Sequence, residues 1–317
     1  MAEKANGNSP VVIAHRGACG YLPEHTLEGV AMAHAMRVDF IEQDVVLTQD
    51  EVPVVLHDIH LDTVTDVAKK FPDRARDDNR YYAIDFTLAE IKQLSAHERI
   101  DLETGQAVFE NRFDYSKTMF KVPTLVEEIE LIQGLNRSTG RDIGIYPEIK
   151  LPAWHRQQGK DLSQVVLKTL KQYGYASKKD NVFLQCFDAD ENRRIREELN
   201  CDLKMVQLIG DNSWNESDTD YEAMQTEEGF KEIAQYVDAI GPWMPLVRQE
   251  DGKNTNLVQL AHASGMLVHV YTLRKDQLPN YAASLNQALS LLKESQVDGL
   301  FTDFADLAVE YFANRIV

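Results

Sequence analysis

The chain has few cysteines and no long apolar run. Three cysteines occur among 317 residues, at Cys19, Cys186 and Cys201. An odd number without a CxxC pair gives no disulfide framework, so we expect three small core residues. No window reaches the roughly 18 apolar residues of a membrane-spanning helix, and stable membrane insertion is therefore not expected.

Basic residues are also in short supply. Lys and Arg number 33 against 51 Asp and Glu, a formal net charge of −18. Such a surface repels phosphate backbones and anionic lipids, so neither nucleic acid nor a membrane surface is an expected partner. A phosphate bound here would need a locally positive pocket or a bound cation. The 44% hydrophobic and 26% charged residues are typical of a globular protein with a sizeable core.

The amino-terminal segment, residues 1–10, is polar and lacks the basic start and apolar run of a signal peptide. We expect this segment to be disordered or flexible, and residues 11–317 to form the folded part. Two interpretations of the compartment stay open: a cytoplasmic protein, or the mature part of an exported one.

Short β-branched runs alternate with stretches of helical spacing, a pattern typical of βα units and a parallel sheet. A chain of this size with eight strands favours a (β/α)8 TIM barrel, whereas a doubly wound sheet would more often show a Gly-rich first turn, which is absent. The candidate strands are Val11–His15, Asp39–Val46, Ile143–Glu148, Val182–Cys186, Met205–Leu208, Ala239–Gly241, Leu267–Thr272 and Gly299–Thr302.

One further apolar run, Val52–His57, follows the second strand after only three residues. That linker is too short for a parallel crossover, so the two runs must form an antiparallel hairpin. With the turn near Asp50, residue 44 faces roughly residue 56. The hairpin therefore brings Glu42, Asp44 and His57 together at one end.

Residues 58–121 form a long insertion that is rich in charged and aromatic residues and has no clear barrel strand. We expect an inserted small subdomain or an extended cap over the barrel mouth, because long loops on barrels usually carry function. A second polar stretch, Asp211–Glu228, is expected to be a surface loop.

Two groups of polar residues stand at predicted strand ends, where the catalytic groups of a barrel lie. His15 and Arg16 follow the first strand, and this pair suits acid–base chemistry on a bound phosphate. Glu42 and Asp44 point to the same face of the second strand, and two adjacent carboxylates favour a hard cation such as Ca²⁺ or Mg²⁺. A hydrogen-bonded structural histidine and a solvated strand end are the alternatives.

Two more strand ends carry comparable groups. His57 ends the hairpin beside the carboxylate pair, and Glu148 and Lys150 share a face at the end of another strand. Glu148 offers a third carboxylate ligand, and Lys150 offers a cation for an anionic substrate. Each group alone is weak evidence for a catalytic site, but the shared position of all of them at strand ends is hard to explain by chance.

These residues lie in motifs that resemble the glycerophosphodiester phosphodiesterase family, its bacterial periplasmic members in particular, from about Val11 to the carboxyl terminus. Glu51 stands where many relatives have the Gly of an Asp-Gly turn, and His25 where many carry Asn, so no chemistry is assigned to His25. The motifs are HRG (15–17), PEHT (23–26), IEQDVVLTQD (41–50), VVLHD (54–58), YPEIK (146–150), LQCFDAD (184–190) and GLFTD (299–303).

The resemblance implies a (β/α)8 barrel with an inserted subdomain, and one divalent metal ion held by Glu42, Asp44 and Glu148, with Ca²⁺ favoured over Mg²⁺. It implies His15 and His57 as the acid–base pair. The implied reaction is hydrolysis of small-molecule glycerophosphodiesters, such as glycerophosphocholine, to sn-glycerol 3-phosphate and an alcohol. Periplasmic location, with the cytoplasm as the alternative, and a homodimer are further expectations.

The substrate suggests a mechanism. Arg16, Lys150 and the metal would neutralise the phosphate, and the glycerol 2-hydroxyl would attack the phosphorus intramolecularly to form a cyclic glycerol phosphate. We expect His15 to act as the base and His57 as the acid, with their roles reversed when water opens the ring.

Four side chains are candidates for the rest of the substrate pocket. Gln185 is a candidate hydrogen-bonding residue, and Phe187 and Tyr271, with Trp243 as a further candidate, stand near the ends of later strands. The aromatic side chains could equally pack in the barrel core or against helices, and Gln185 could satisfy buried backbone.

Two other functions remain open. A phospholipase-type enzyme acting on intact lipid would want an apolar or interfacial rim, whereas the insertion is charged around residues 73–80. A non-catalytic surface binding protein on the same barrel would tolerate loss of a catalytic position, and none of the positions named above is lost.

Overall fold

The structure is a computed structural model that describes residues 9–117 and 119–313. The expected flexible segment falls on residues 1–10, and residues 1–8 lie outside the described residues. The strands are β1 (Val11–Ala14), β2 (Phe40–Leu47), β3 (Pro53–Val55), β4 (Gly144–Ile149), β5 (Phe183–Cys186), β6 (Lys204–Ile209), β7 (Ala239–Pro242), β8 (Leu267–Leu273) and β9 (Gly299–Thr302). The helices are α1 (Leu27–Ala35), α2 (Val67–Lys70), α3 (Leu88–Ile91), α4 (Leu125–Thr139), α5 (Pro152–Gln157), α6 (Leu162–Gln172), α7 (Ala189–Glu197), α8 (Tyr221–Met224), α9 (Glu227–Ile233), α10 (Met244–Val247), α11 (Leu257–Ala263), α12 (Leu285–Glu294) and α13 (Ala305–Ala313).

Eight parallel strands close into a barrel. The sheet runs in the order β1-β9-β8-β7-β6-β5-β4-β2, and a further parallel pairing of β1 with β2 closes the ring. Helices lie between successive strands, so the predicted (β/α)8 barrel is confirmed.

Strand β3 lies outside this ring, on the carboxyl end of β2. It pairs antiparallel with β2, with Val45 opposite Val55 and Val46 opposite Val54, which confirms the predicted hairpin and its register. The turn residue Glu51 has φ of 59°, in the left-handed region that glycine adopts without steric cost. The glutamate side chain at this position therefore does not prevent the hairpin turn.

Large aromatic side chains fill the barrel interior. Tyr146 and Phe183 stack with ring centroids 5.2 Å apart, and Phe40 contacts both rings edge-on. The Tyr146 hydroxyl and His269 Nδ1 are 2.7 Å apart, so His269 is a hydrogen-bonded core residue. Gly144 lies where a side chain would overlap the Phe40 ring, so the interior is filled by large residues facing small ones.

The helices pack their apolar faces against the outside of the barrel. Thr124 and Glu127 form a reciprocal capping box that starts α4, and Gly140, with φ of 70°, ends it. The three cysteines are free and buried, as the sequence predicts. Within the described residues, no helix has both the length and the apolarity needed to cross a membrane.

The insertion, residues 58–121, has a hydrophobic cluster of its own that includes Phe86, Ile91, Leu94 and Phe120 and continues onto Val54 of β3. Only short helices and isolated bridges occur in its described part. The division into barrel and cap subdomain stays a prediction.

The expectation of a surface loop at Asp211–Glu228 is wrong in part. Helix α8 lies within this stretch and α9 begins in it, because Asp220 and Thr226 cap their first turns through side-chain oxygens. The segment before α8 carries Trp214 and Glu216 to the mouth of the barrel.

The interior packing gives a stability prediction. In Gly144→Ala the new methyl group would overlap the Phe40 ring and lie 2.7 Å from the Asn181 carbonyl oxygen, so we expect the free energy of unfolding to fall by about 1–3 kcal/mol. Gly134→Ala is the control, because Gly134 lies in α4 with open space around it and Ala there gains about 0.5–1 kcal/mol. Urea titrations followed by circular dichroism measure both, and equal stabilities would contradict the packing argument.

Candidate active site

A cavity of about 340 Å³ opens at the carboxyl ends of the barrel strands. The structure brings all ten sequence-predicted site residues to its wall. These are His15, Arg16, Glu42, Asp44, His57, Glu148, Lys150, Gln185, Phe187 and Tyr271. The remaining lining residues are Leu208, Trp214, Glu216, Trp243, Thr272, Arg274 and Phe301.

The centre of the site is the carboxylate pair on β2. Glu42 and Asp44 are both buried and face the cavity, because residues two apart on a strand share a face. The backbone N–H of Arg16 donates to Glu42 Oε2 at 2.6 Å, while Asp44 Oδ1 is buried with no hydrogen-bond partner among the described residues. Burial and the Asp44 charge raise the pKa of Glu42 well above its usual value. A cation bound between the two carboxylates would give Asp44 Oδ1 a partner and would offset the repulsion that raises the pKa of Glu42.

His25 belongs to this group, although no role was assigned to it from the sequence. Its Nε2 lies 2.7 Å from Asp44 Oδ2, and the ligand atoms of His25, Glu42 and Asp44 all lie within 4.8 Å of one another. The backbone of His25 has φ of 56°, in a turn that brings it back over β2. The PEHT motif just before α1 was the available signal, but its spacing alone does not place the ring.

Glu148 on β4 and Lys150 directly after this strand stand beside this group, and Glu148 is the register partner of Asp44. Lys150 Nζ donates to Glu148 Oε1 at 2.7 Å and lies 4.0 Å from Asp44 Oδ1. Burial raises the pKa of Glu148 to about 8. Glu148 thus lines the cavity as predicted, but its carboxylate is paired with Lys150, and its role as a metal ligand stays a prediction.

Each of the two predicted acid–base histidines has a carboxylate on its Nδ1. His15 Nδ1 lies 2.7 Å from Asp303 Oδ1, and His57 Nδ1 lies 2.6 Å from Asp58 Oδ1. This arrangement leaves Nε2 of each ring free to exchange a proton. Burial and the nearby Arg16 lower the pKa of both histidines to about 4, with Lys150 contributing at His57.

Arginines from the insertion hold these carboxylates in place. Arg99 donates to Glu24 Oε1 and to Asp58 Oδ2, each at 2.6 Å. Arg112 donates to Asp303 Oδ2 at 2.6 Å. Sequence reasoning missed these pairs, because residues so far apart in the chain give no spacing pattern.

The opposite half of the cavity is aromatic. Phe187 and Tyr271 pack edge-on with centroids 6.0 Å apart, and Trp214 and Trp243 do so at 5.0 Å. Sequence reasoning missed Trp214 and Glu216, which lie in the stretch expected to be a surface loop. The cavity therefore has an ionic half on β1–β4 and an aromatic half on β5–β8. Such a site can bind an anionic phosphoryl group with a divalent cation and transfer protons to or from it.

Comparisons with known proteins find relatives over nearly the whole chain. The model of the glycerophosphoryl diester phosphodiesterase family matches residues 15–307. A glycerophosphodiester phosphodiesterase of Haemophilus influenzae is 45% identical, covering 98% of this chain and 92% of the relative. One of Treponema pallidum is 36% identical, covering 95% of this chain and 91% of the relative.

Solved structures share the fold at low identity. An Oleispira antarctica phosphodiesterase in complex with the product sn-glycerol-3-phosphate has a TM-score of 0.66 at 19% identity, covering 96% of this chain and 97% of that one. A glycerophosphodiester phosphodiesterase of Agrobacterium tumefaciens has a TM-score of 0.62 at 18% identity, covering 95% and 99%.

The carboxylate group gives a prediction for metal binding. We expect Glu42→Gln combined with Asp44→Asn to weaken Ca²⁺ binding more than about a hundredfold, because even an outer-shell change typically costs 10–100-fold. Calorimetric titration of chelator-stripped protein measures this. Asp306→Asn is the control, since Asp306 accepts from the Tyr21 hydroxyl outside the cavity.

Glu148→Gln decides the third ligand in the same titration. A loss of Ca²⁺ affinity of similar size would show that Glu148 is a metal ligand. Unchanged affinity would show that Glu148 pairs with Lys150 and does not bind the metal. Unchanged Ca²⁺ affinity in the double variant would show that the ligand set is misplaced.

Proposed function

The chain belongs to the glycerophosphoryl diester phosphodiesterase family, and we propose that it hydrolyses deacylated phospholipids to sn-glycerol 3-phosphate and an alcohol. One observation carries the proposal: two carboxylate-backed histidines share a cavity with a buried carboxylate pair, Arg16 and Lys150. These are the groups that phosphodiester hydrolysis needs, namely charge neutralisation and two proton-transfer sites. The product complex of the Oleispira antarctica enzyme supports the same product class.

The residues present fit one divalent cation. Asp44 Oδ1 is buried without a hydrogen-bond partner within the described chain, and Glu42 is held close to it against their mutual repulsion. Glu42 and Asp44 would hold the ion with Glu148 as third ligand, and their oxygen donors favour Ca²⁺ or Mg²⁺. When bound, the ion would neutralise the phosphoryl oxygens and so favour attack on phosphorus.

We assign the first proton transfer to His15. Its Nδ1 is held by Asp303, which fixes the tautomer whose Nε2 accepts a proton. A pKa of about 4 keeps this ring neutral at physiological pH, as a base requires. We propose that it takes the proton of the glycerol 2-hydroxyl while that oxygen bonds to phosphorus, which avoids the entropic cost of recruiting water.

We assign the second proton transfer to His57. As the bond between phosphorus and the alcohol oxygen breaks, that oxygen needs a proton, and His57 supplies it in its imidazolium form with Asp58 on Nδ1. Burial, Arg16 and Lys150 lower the pKa of His57 in the free protein. A phosphodiester anion bound between those cations would offset them and raise the pKa of His57.

Water then opens the cyclic glycerol phosphate with the roles reversed. His57 takes a proton from water as the hydroxide oxygen bonds to phosphorus, and His15 returns its proton to the departing 2-oxygen. Both histidines end in their starting protonation states, so the cycle is balanced.

Two wider expectations stay predictions. We propose that the protein acts in the periplasm, on the strength of its sequence resemblance, and that it forms a homodimer. Cell fractionation and sedimentation analysis test them separately from the chemistry.

The direct test is release of sn-glycerol 3-phosphate from glycerophosphocholine. We expect turnover to stop with EDTA and to return on addition of Ca²⁺ or Mg²⁺. The matching analogue without the 2-hydroxyl, 1,3-propanediol phosphocholine, should not be cleaved, because the internal nucleophile is missing. Turnover that survives metal removal would contradict the metal requirement, and cleavage of the analogue would contradict the cyclic intermediate.

Asp303 gives a second prediction. Asp303→Asn should lower kcat about 10- to 100-fold, since acid–base catalysis as a whole contributes roughly 10²–10⁴-fold. Because Asp303 raises the pKa of His15, its neutral replacement should also move the acidic limb of the kcat/KM profile to lower pH. Asp306→Asn, three residues along, should change neither quantity. A fall in kcat with an unmoved pH profile would mean that Asp303 does not act through His15.

A further inference from the structure

His25 lies against the carboxylate pair, yet the proposed mechanism gives it no task. We propose that His25 is a positioning residue of the metal site: its Nε2–H holds Asp44 Oδ2, so that Asp44 Oδ1 is left for the cation. The inference rests on the proposed function, because it concerns the divalent cation that Asp44 would hold there.

The contact between His25 and Asp44 gives the two carboxylate oxygens different surroundings. Nε2 lies 2.7 Å from Oδ2, and the two side chains are only 2% and 1% exposed, so water hardly competes for this hydrogen bond. An ionised carboxylate only accepts, so the hydrogen lies on Nε2. Oδ1 is equally buried, lies 4.0 Å from Lys150 Nζ and accepts no hydrogen bond from the residues that the structure describes. Oδ1 is therefore the oxygen that remains for a cation.

Glu42 is held in a similar way, and the two donors are joined to each other. The backbone N–H of Arg16 donates to Glu42 Oε2 at 2.6 Å. The backbone N–H of His25 in turn donates to the carbonyl oxygen of Arg16 at 3.1 Å. Arg16 and His25 thus supply one donor to each member of the carboxylate pair, and a backbone hydrogen bond links these donors. The same segment of chain therefore orients both carboxylates.

The backbone at position 25 is unusual for a residue that merely fills space. Arg16 and His25 have φ of 53° and 56°, both in the left-handed region, and Thr26 caps α1 directly after His25. Among residues other than glycine, Asn, Asp and His adopt this region most readily, and Asp carries no N–H donor. His25 thus combines a demanding backbone conformation with a donor, and the donor meets Asp44.

Calcium binding tests the role directly. His25→Gly removes the donor, and glycine adopts positive φ without steric cost. We expect this variant to weaken Ca²⁺ binding to the chelator-stripped protein about 10- to 100-fold, the usual cost of losing an outer-shell partner of a metal ligand. His25→Gln keeps an N–H donor at a similar reach and should stay within about threefold of the wild-type affinity. Calorimetric titration measures both variants.

A second buried histidine supplies the matched control. His34 is also buried, and its Nε2 lies 3.0 Å from Asn136 Oδ1, but it does not line the cavity. His34→Ala should leave the Ca²⁺ affinity unchanged, and circular dichroism checks that each variant is folded. Wild-type affinity in His25→Gly would overturn the proposal. An equal loss in His25→Gly and His25→Gln would overturn the role of the N–H donor.

A spectroscopic signature separates a positioning residue from a direct metal ligand. In wild-type protein with isotope-labelled histidine, we expect nuclear magnetic resonance to show a hydrogen on His25 Nε2 both before and after Ca²⁺ is added. The signal is assigned by its absence in His25→Gln. A ring nitrogen that binds a metal carries no hydrogen, so loss of this hydrogen on addition of Ca²⁺ would overturn the proposal.

These measurements need no turnover, so this inference and the proposed function can fail separately. Ca²⁺ affinity that falls in His25→Gly and returns in His25→Gln supports the positioning role even if no glycerophosphodiester is hydrolysed. Unchanged affinity in His25→Gly overturns it even if the diesters are hydrolysed. A wild-type protein that binds neither Ca²⁺ nor Mg²⁺ would overturn it together with the metal site.

Discussion

Buried negative charge is the constraint on which the rest of this structure depends. Glu42, Asp44 and Glu148 lie buried at the barrel mouth, and Asp303 is buried against His15. Carboxylates in such surroundings persist only if cations and N–H donors pair with them, and removing one partner of a buried pair typically costs roughly 3–5 kcal/mol. The positions of the cationic side chains follow from this requirement.

Those cations come from different parts of the chain, and they join the insertion to the barrel. Arg99 bridges Glu24 of the barrel and Asp58 at the start of the insertion, while Arg112 reaches Asp303 after β9. The carboxylates that orient His15 and His57 are therefore held by arginines of the insertion. Through these pairs the insertion positions His15 and His57, the residues proposed to transfer protons.

The parts of the fold that depend on local sequence patterns were predicted correctly from the sequence. Alternating apolar runs located the eight barrel strands, and the short linker before Val52 fixed the hairpin. The positions at strand ends, together with the family resemblance, then pointed to the ten predicted residues that line the cavity. They did not point to Arg112, which meets Asp303 191 residues away, or Trp214, whose position depends on the room left by Gly210. Such contacts depend on tertiary packing, so periodicity carries no trace of them.

The charge balance of the cavity also explains how so acidic a protein can accept a phosphodiester. In the centre, three carboxylates face the two fixed cations Arg16 and Lys150, and burial raises the pKa of Glu42 and Glu148, which opposes ionisation of all three together. A divalent ion held by these carboxylates would favour their ionised forms and add positive charge to the centre, so that the anion would be attracted where the protein as a whole repels it. That attraction would be local, because Glu216 lines the aromatic half of the cavity and the protein as a whole carries a net charge of −18.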